Sequence, residues 1–596
     1  MDILLVSSIN VLWPEPDMAP YLGLLVLRDI LKDDYEVEYV DFRLIDELVK
    51  SLPTRDPDEA MRNLARYLLS KKPKIVGFYT ICNTFVFSSQ VAACVKEMDA
   101  EVKIVFGGPH ATVTAQGCLE AFPFLDAVCL GEAERSIKPL MDALMNDGDL
   151  AQVPGVAYHT NSGVAITQPA ELISDEELGH YTVFDYAPTS PETINVIYLE
   201  GGRGCPYSCT FCSTSTYWGR RFRLKPVEVL IEEMDKLYEM YKISTFGILH
   251  DHFTSDKQRI REFCRLLIDS GRNYQWSCSA RADSLDAELL DLMKESQCYA
   301  IYLGIETGSN RMQRIIRKNL RAEDALEAFK LAHERGIATK VSFIYGFVEE
   351  TEEDFLETLK MIEAIFMMGT RLIQLHPYNI TPATEETRKA KERLYFDRNA
   401  MLDYSLYNKK LFSDEYMRLI EQNPDLYEQY YTFDTLVRKK YQNIDTLIHL
   451  IVHLSLYCRK SIEHLIGLYG LAGLFLKHKA RFKDLRERID EIAAFERDNI
   501  SDLALVYGVY EQMLQNEIEE INDLGFSQIC KYERHLVEFV VDKTRKPVVH
   551  GFVLDMEELL TTGRCIEASC NLIYFVREGQ IITMKGSSFF SIFGFI

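Results

Sequence analysis

Three cysteines, Cys205, Cys209 and Cys212, lie at the spacing C-x3-C-x2-C within Gly201-Gly202-Arg203-Gly204-Cys205-Pro206-Tyr207-Ser208-Cys209-Thr210-Phe211-Cys212. Thiolates this close together, on a chain loosened by glycines, can converge on one iron–sulfur cube. Three protein ligands leave one iron of such a cube open to a ligand from outside the chain. A zinc site would want a fourth Cys or His nearby. None occurs in the ten residues on either side of the trio. Buried thiols that bind nothing are the other bland reading.

The elements that must hold these thiols read as strands alternating with helices. In the first segment, strands are predicted at Ile3–Val6, Tyr35–Val40, Ile75–Tyr79, Lys103–Phe106 and Ala127–Leu130, with helices at Tyr21–Leu31, Ser88–Met98 and up to Leu144. This alternation predicts a parallel, doubly wound sheet of the flavodoxin type over 1–148, with ligands off the carboxyl ends of its strands. A connector over 149–190 carries a hairpin signal, Val156–His159 and Val164–Ile166 around Asn161-Ser162-Gly163, and then Pro188 and Pro191. Over 191–388, about six βα units follow, from the strand Asn195–Leu199 to the strand Arg371–Leu375. That count predicts a partial (β/α)6 barrel with its chemistry at the carboxyl ends of the strands.

Residues 389–596 read as a third region, mainly helical from Tyr395 to Asp523 and with no fixed repeat. Strands are predicted at Leu536–Val541 and Val548–Val553, then a hairpin of Ile573–Val576 and Ile581–Met584 around Glu578-Gly579. Because the first two regions are generic, this third one is expected to recognise the substrate. Within it, His449 and His453 sit one helical turn apart and can share a metal, though a polar stripe on a packed helix explains them more simply. Cys565 and Cys570 can hold a metal or act as a thiol pair, but their spacing matches no zinc ribbon.

Charge and composition narrow the function. The 596 residues suit roughly three or four domains. With 66 basic and 90 acidic residues the net charge is −24, which argues against a nucleic-acid partner and against a tRNA-modifying enzyme. The basic run Arg220-Arg221-Phe222-Arg223-Leu224-Lys225 is a local exception. The 14 cysteines are scattered apart from the trio, and Met1-Asp2-Ile3-Leu4-Leu5 does not open a signal peptide. A reducing, cytoplasmic setting is expected. The most apolar helical stretch, Leu447 to Leu476, is broken by Arg459, Lys460 and Glu463, so no transmembrane segment is expected.

The cysteine spacing, with Phe211 just before the last thiol, resembles the radical S-adenosylmethionine (radical SAM) superfamily. The resemblance implies a [4Fe-4S] cluster whose open iron takes the amino and carboxyl groups of SAM. One electron then cleaves SAM to methionine and a 5′-deoxyadenosyl radical. Other strand ends resemble the family's SAM contacts. Asp251 lies in His250-Asp251-His252-Phe253-Thr254, similar to an Asp-Asp-x-Phe-Thr stretch that begins here with His250. Arg281 is placed for a bidentate contact with the SAM carboxylate. Glu306 lies in Gly304-Ile305-Glu306-Thr307-Gly308-Ser309, and Ser342 on a strand of the kind that contacts SAM. Gly346-Phe347-Val348-Glu349-Glu350-Thr351 resembles a Gly-x-Pro-Gly-Glu-Thr loop, with Val348 and Glu349 as departures. The alternative for Arg281 and Glu306 is an ion pair internal to the barrel.

Ahead of the barrel, Gly107-Gly108-Pro109-His110 and Gly131-Glu132-Ala133-Glu134 resemble the cobalamin-binding domain that precedes many radical SAM cores. Thr80 stands where that fold places a small hydroxyl residue near the corrin tail. Adjacent glycines let backbone approach a flat, bulky ligand. A tight turn in a domain that binds nothing is the alternative. The loop Ser7-Ser8-Ile9-Asn10-Val11-Leu12-Trp13 has no histidine, which implies cobalt without a histidine ligand from this loop. His110 reads more naturally as a turn or phosphate-contact residue.

Together the two resemblances cover roughly residues 1 to 385 and imply a methylase of an unactivated carbon. Methyl would pass from methylcobalamin to a substrate radical, with electrons from a flavodoxin or ferredoxin. A natural-product intermediate, a ribosomal peptide or a lipid is the expected substrate. The same architecture performs ring closures and contractions without methyl transfer. A methylthiotransferase would want a second cluster. A cobalamin or cluster sensor would not need the SAM-contact residues.

Overall fold

The computed structural model describes residues 1–7, 20–42, 57–186, 195–397, 414–491, 499–541, 548–554, 567–577 and 580–585. The histidine-free loop after the first strand from Ser8 on, Pro188, Pro191, Glu578, Gly579 and Cys565 lie outside them. The chain divides into two compact units, Met1–Phe355 with His376–Arg438, and Leu356–Leu375 with Lys439–Ile596.

The first unit opens with β1 (Ile3–Ser7), β2 (Val37–Asp41), β3 (Ile75–Tyr79), β4 (Lys103–Gly107) and β5 (Ala127–Cys129). These five are parallel, in the order β2-β1-β3-β4-β5. That is the flavodoxin-like order, which opens a crevice off the carboxyl ends at the β1/β3 switch point. The strands are near-continuous apolar runs because helices cover both faces. β1 is buried at all five positions. The helix Pro57–Ser70 between β2 and β3, with Pro57 at its start and Asp58 and Glu59 in its first turn, has no counterpart among the sequence expectations. The expected hairpin forms β6 (Val156–Thr160) and β7 (Gly163–Ile166), and it does more than connect. β6 pairs antiparallel with β5 and so extends the sheet to seven strands, covering the backbone groups that β5 would otherwise leave unpaired.

The barrel sheet comprises β8 (Ile197–Glu200), β11 (Thr245–Leu249), β12 (Gln275–Ala280), β13 (Cys298–Glu306), β14 (Ala338–Tyr345) and β15 (Ile373–Pro377), adjacent in chain order. A short antiparallel pair, β9 (Gly202–Arg203) and β10 (Arg223–Leu224), brackets the cysteine loop. Helices separate consecutive long strands, as the alternation predicts. In the helix Lys257–Asp269, Asp256 caps the first turn by accepting from the Gln258 and Arg259 amides. Ile260, Phe263, Cys264 and Leu267 then fall at i, i+3, i+4 and i+7 and are all buried. Each large apolar side chain buried this way contributes about 1.5–3 kcal/mol.

After β15 the chain returns to the first domain. Tyr416, Met417, Ile420, Leu426, Tyr427 and Tyr430 join one buried cluster with Phe85, Phe106 and Phe122. Residues 389–397 and 414–438, which the sequence reading groups with the C-terminal region, therefore lie in the first unit.

In the second unit, helices Ile444–Leu454, Arg459–Glu491, Asn499–Ile521 and Leu524–Val541 precede three antiparallel strands, β16 (Val548–Leu554), β17 (Glu567–Arg577) and β18 (Gln580–Lys585). The last hairpin pairs as expected, with Ile573 opposite Met584 and Val576 opposite Ile581. The expected strand Leu536–Val541 is instead the end of a helix. Phe526, Cys530 and Val537 are buried at helical spacing, which overrides the local β-branched composition. No described helix is long and apolar enough to cross a membrane.

Candidate functional site: the cysteine loop and an adjoining cavity

The glycines before Cys205 are required by close approach. A Cβ on Gly204, whose φ is +81°, would lie 2.0 Å from the Arg221 carbonyl oxygen, and one on Gly202 would lie 2.5 Å from that of Arg223. Any side chain at either position would push β9 and β10 apart. Beyond this pinch Cys205, Cys209 and Cys212 are half-buried free thiols. The far side of the loop is tied down. The Thr210 amide donates to the Ile316 carbonyl at 2.9 Å, and the Glu386 amide donates to the Thr210 carbonyl at 2.9 Å. Phe211 packs its ring 5.7 Å from Phe347, against a buried cluster with Met312 and Ile316.

Burial pushes the Cys209 thiol up to about 11, against the lowering pull of Lys318 and Arg281. Burial also raises Cys205. Metal coordination deprotonates such thiols outright. Among the described residues no three His, Cys, Asp or Glu side chains converge on a single ion. A cube does not need that, because each thiolate meets a different iron. The donor set of three soft ligands, with no fourth nearby, fits a cluster with one open iron.

Charges crowd the strand ends around this loop. The Arg281 guanidinium is buried, stacks 3.7 Å from the Tyr207 ring centroid, and donates to Asp283 at 2.8 Å and to the Lys318 carbonyl at 2.7 Å. Lys318 in turn donates to Glu306 at 2.8 Å. Thus Arg281 and Glu306 each form an ion pair, but not with one another. Glu306 has φ +69° where the β13–β14 register slips. A left-handed conformation in a residue with a side chain is costly and clusters at ligand sites. Ser342 is buried and lies opposite Gly304 in register. Asp251 accepts from Thr214 Oγ1 at 3.1 Å, and the protein packed around it raises its carboxyl above the usual range although solvent still reaches it. His252 is buried against Tyr207, and burial pushes its imidazole down to about 4, so it is neutral. The sequence does not single out Lys318 or Tyr207 as site residues. Tyr207 lies inside the cysteine motif, but nothing near Lys318 marks it.

A cavity of 420 Å³ runs between β1, β3 and β4 and the helix Leu22–Leu31, past the carboxyl ends of β3, β4 and β5, to the cysteine side of the barrel. Its size suits a small-molecule site. Gly107, Gly108, Pro109, Gly131 and Glu132 line one wall, and Arg203, Thr214, Tyr217, Trp218 and Asp251 line the other. Gly108 has φ +94°, and a Cβ there would meet the Thr80 carbonyl at 2.7 Å and the Tyr79 ring at 2.9 Å. At Gly131 a Cβ would meet nothing within 4 Å, so the backbone there faces open space. A glycine-walled cavity of this kind fits a bulky planar ligand at close approach.

Thr80 and His110 do not line this cavity. Thr80 Oγ1 donates to the Gly107 carbonyl at 2.9 Å and accepts from the Ala111 amide at 3.0 Å, so it builds the turn. His110 stacks on Phe85 with centroids 4.0 Å apart, and its Nε2 lies 3.1 Å from the Leu426 carbonyl. Burial pushes its imidazole down to about 3.

Where the two walls meet, buried charges join them. Arg203 reaches Glu134 and Glu200 at 2.7 Å each and Glu132 at 3.1 Å. Arg223 reaches Glu132 at 2.5 Å and 2.9 Å. Burial would raise the Glu132 carboxyl, but Arg223 and Arg203 outweigh it and hold it below the usual range. Trp218 lies beside both guanidiniums, at 5.9 and 5.6 Å. The sequence shows the members of this junction in three separate stretches, Arg203 in the cysteine motif, Arg223 in the basic run and Glu132 and Glu134 after β5, but not that they meet.

Residues 199–362 match the radical SAM superfamily and residues 16–140 match the B12 binding domain. An uncharacterized methyltransferase of Pyrococcus horikoshii is 30% identical over 363 residues, covering 60% of this chain and 76% of that protein. The anaerobic magnesium-protoporphyrin IX monomethyl ester cyclase of Rubrivivax gelatinosus is 26% identical over 54% of this chain and 59% of its own length. The cytidylyl-2-hydroxyethylphosphonate methyltransferase of Streptomyces wedmorensis is 29% identical over 54% of this chain and 68% of its own length. Among solved structures, the radical SAM methyltransferase TsrM from Kitasatospora setae, with cobalamin and a [4Fe-4S] cluster bound, shares the fold with a TM-score of 0.54 at 17% identity, over 76% of this chain and 96% of that one. The cobalamin-dependent SAM radical enzyme OxsB, with aqua-cobalamin and SAM bound, does so with a TM-score of 0.53 at 16% identity, over 91% of this chain and 84% of that one. The radical SAM match implies a [4Fe-4S] cluster and SAM, and the B12 match implies cobalamin, in agreement with the donor set and the glycine-walled cavity. The chain belongs to the cobalamin-binding radical SAM enzymes.

Proposed function

We propose that this enzyme methylates an unactivated carbon of a natural-product, peptide or lipid substrate. The observation that carries the reading is the cavity that joins the glycine wall of the first sheet to the Asp251 and Arg203 wall beside the cysteine loop. Methyl transfer from cobalamin requires those two places to share one space. Bound there, the cluster and SAM supply a carbon-centred radical, and cobalamin supplies the methyl group.

In this reading Cys205, Cys209 and Cys212 hold the cluster. Arg281, Glu306, Ser342, Asp251 and Phe211 form the SAM surround, and Gly107, Gly108, Pro109 and Gly131 the cobalamin side, where the Glu132 carboxylate is held by Arg203 and Arg223 instead of reaching the ligand. Thr80 and His110 organise the Gly107–His110 turn rather than touch the ligand. Arg281, braced by Asp283 and Tyr207, presents fixed positive charge to a carboxylate without reorganising. Lys318 neutralises Glu306 from one side and so orients it. Phe211, packed on Phe347, fills the space behind the cluster loop with apolar surface and keeps water away from it. A flavodoxin or ferredoxin would donate the electron.

A second reading, ring closure without methyl transfer, is favoured by the magnesium-protoporphyrin ester cyclases among the relatives. One experiment separates the two. With cluster reconstituted anaerobically and cobalamin, SAM, reductant and candidate substrates added, methylation yields both 5′-deoxyadenosine and S-adenosylhomocysteine by mass spectrometry. The Cys209→Ala variant should lose bound iron and deoxyadenosine together. Deoxyadenosine without S-adenosylhomocysteine, on a substrate that is consumed, would replace methylation by ring closure. Neither product from fully loaded protein would sink both.

A further inference from the structure

We propose that Arg203 and Glu132 are positioning residues that set the spacing between the cysteine loop and the cobalamin-side loop. The inference rests on the cofactor placement proposed above and adds a device that holds the two places in register.

Arg203 lies two residues before Cys205, with no slack between them. Gly204 is pinned at φ +81° against the Arg221 carbonyl, and β9 is clamped to β10. Glu132 directly follows Gly131, whose backbone faces open cavity and whose carbonyl accepts the Tyr217 hydroxyl at 2.9 Å. The route from thiol to cavity wall is therefore short: Cys205, Gly204, Arg203, Glu132, Gly131. Both Glu132 oxygens are taken by protein donors. Oε1 receives Arg203 and Arg223, and Oε2 receives Arg223 and the Ile173 amide at 3.2 Å. Although Glu132 lines the cavity, its carboxylate is committed to the junction.

A junction needing only adhesion would be better made from apolar side chains, because burying charges costs several kcal/mol per ion before pairing offsets it. Here Arg203, Arg223 and Glu132 are all less than a tenth exposed. What directional ion pairs add is geometry: the guanidinium fork accepts a carboxylate in few orientations. Reactions between two held groups are sensitive to such placement, and a displacement near 1 Å can cost about 100-fold in rate.

The test uses the spins of the two cofactors. The full chain and its Arg203→Lys and Glu132→Gln variants are reconstituted with iron and sulfide, loaded with hydroxocobalamin, and reduced so that cobalt(II) and the cluster are both paramagnetic. Pulsed EPR then reads their dipolar coupling, which falls with the cube of the distance. We expect one narrow coupling in the parent and a shifted or broadened one in both variants, with iron and cobalamin content unchanged. The same narrow coupling in both variants would overturn the proposal. So would loss of cobalamin with the cluster intact, since that would make these residues ligand contacts instead of spacers. The two substitutions act from opposite walls, so if one fails to fold the other still decides. A parent that takes up no cobalamin, or shows no coupling, would refute the cofactor placement itself.

Discussion

Buried charge serves different ends in the two units. In the first, Arg203, Glu132 and Arg281 are buried at strand ends and Lys318 in the loop between two helices, around a cavity and three free thiols. In the second, buried carboxyls, charged or neutral, tie helix to helix. Glu533 accepts from the Lys460 and Ser461 amides at 2.8 and 3.3 Å and from the Ser461 hydroxyl, capping the helix Arg459–Glu491. Glu517 collects His478 at 2.6 Å and Lys477 and Tyr469 at 2.9 Å each, and Arg486 pairs with Asp445 at 2.9 Å. Each unit also holds a carboxyl that burial pushes up to about 8, Glu350 in the first and Glu533 in the second. A perturbed carboxyl therefore does not by itself mark the site. What sets the first unit apart is the glycine-lined cavity beside the three cysteines.

That contrast can be broken most directly at Glu533. Removing it by Glu533→Ala leaves the Lys460 and Ser461 amides without their acceptor, so the helical unit should lose about 2–4 kcal/mol. Iron and cobalamin loading should not change; a loss of either would show that the second unit's charges serve the site. The pH dependence has a definite sign. A carboxyl raised by burial contributes stability that is fully present below its ordinary value of 4.5 and is lost as pH rises through about 8. Thermal midpoints of the parent should fall across that window, and Glu533→Gln, which keeps an acceptor and carries no charge, should flatten the decline.

A smaller effect sharpens the other side of the comparison. Gly131→Ala places a methyl group in open cavity space at φ +66°. Left-handed backbone with a side chain costs the fold about 1–2 kcal/mol with or without ligand, whereas a methyl group in space that a closely packed ligand fills should weaken cobalamin retention in equilibrium dialysis by about tenfold. Cluster iron should stay the same. Retention equal to the parent's would remove the glycine wall from the ligand's surroundings.

The smallest effect is expected at His453. Its Nδ1 lies 2.9 Å from the His449 carbonyl and the ring stacks on His449 at 3.9 Å, which makes the pair a local feature of one helix. His453→Ala should change stability by less than about 0.5 kcal/mol and leave metal content unaltered by elemental analysis. A stoichiometric loss of metal would establish a second metal site there.

What the sequence by itself determined is what local spacing encodes. The C-x3-C-x2-C run is read directly from the spacing, and the βα alternation from the hydrophobic period. Together with the family resemblance, these were enough for the fold class and the three cofactors. Tertiary structure alone decided the rest. Glu132 and Arg203 are 71 residues apart and Thr210 and Glu386 are 176 apart, with no pattern linking them. The helix at Leu524–Val541 won over a strand-like composition because Phe526, Cys530 and Val537 bury together. Tyr427 reached the first domain's core only because the chain turns back after β15. Periodicity reports which face of an element is buried. Which charge meets which, and across what space, is settled only when distant faces pack.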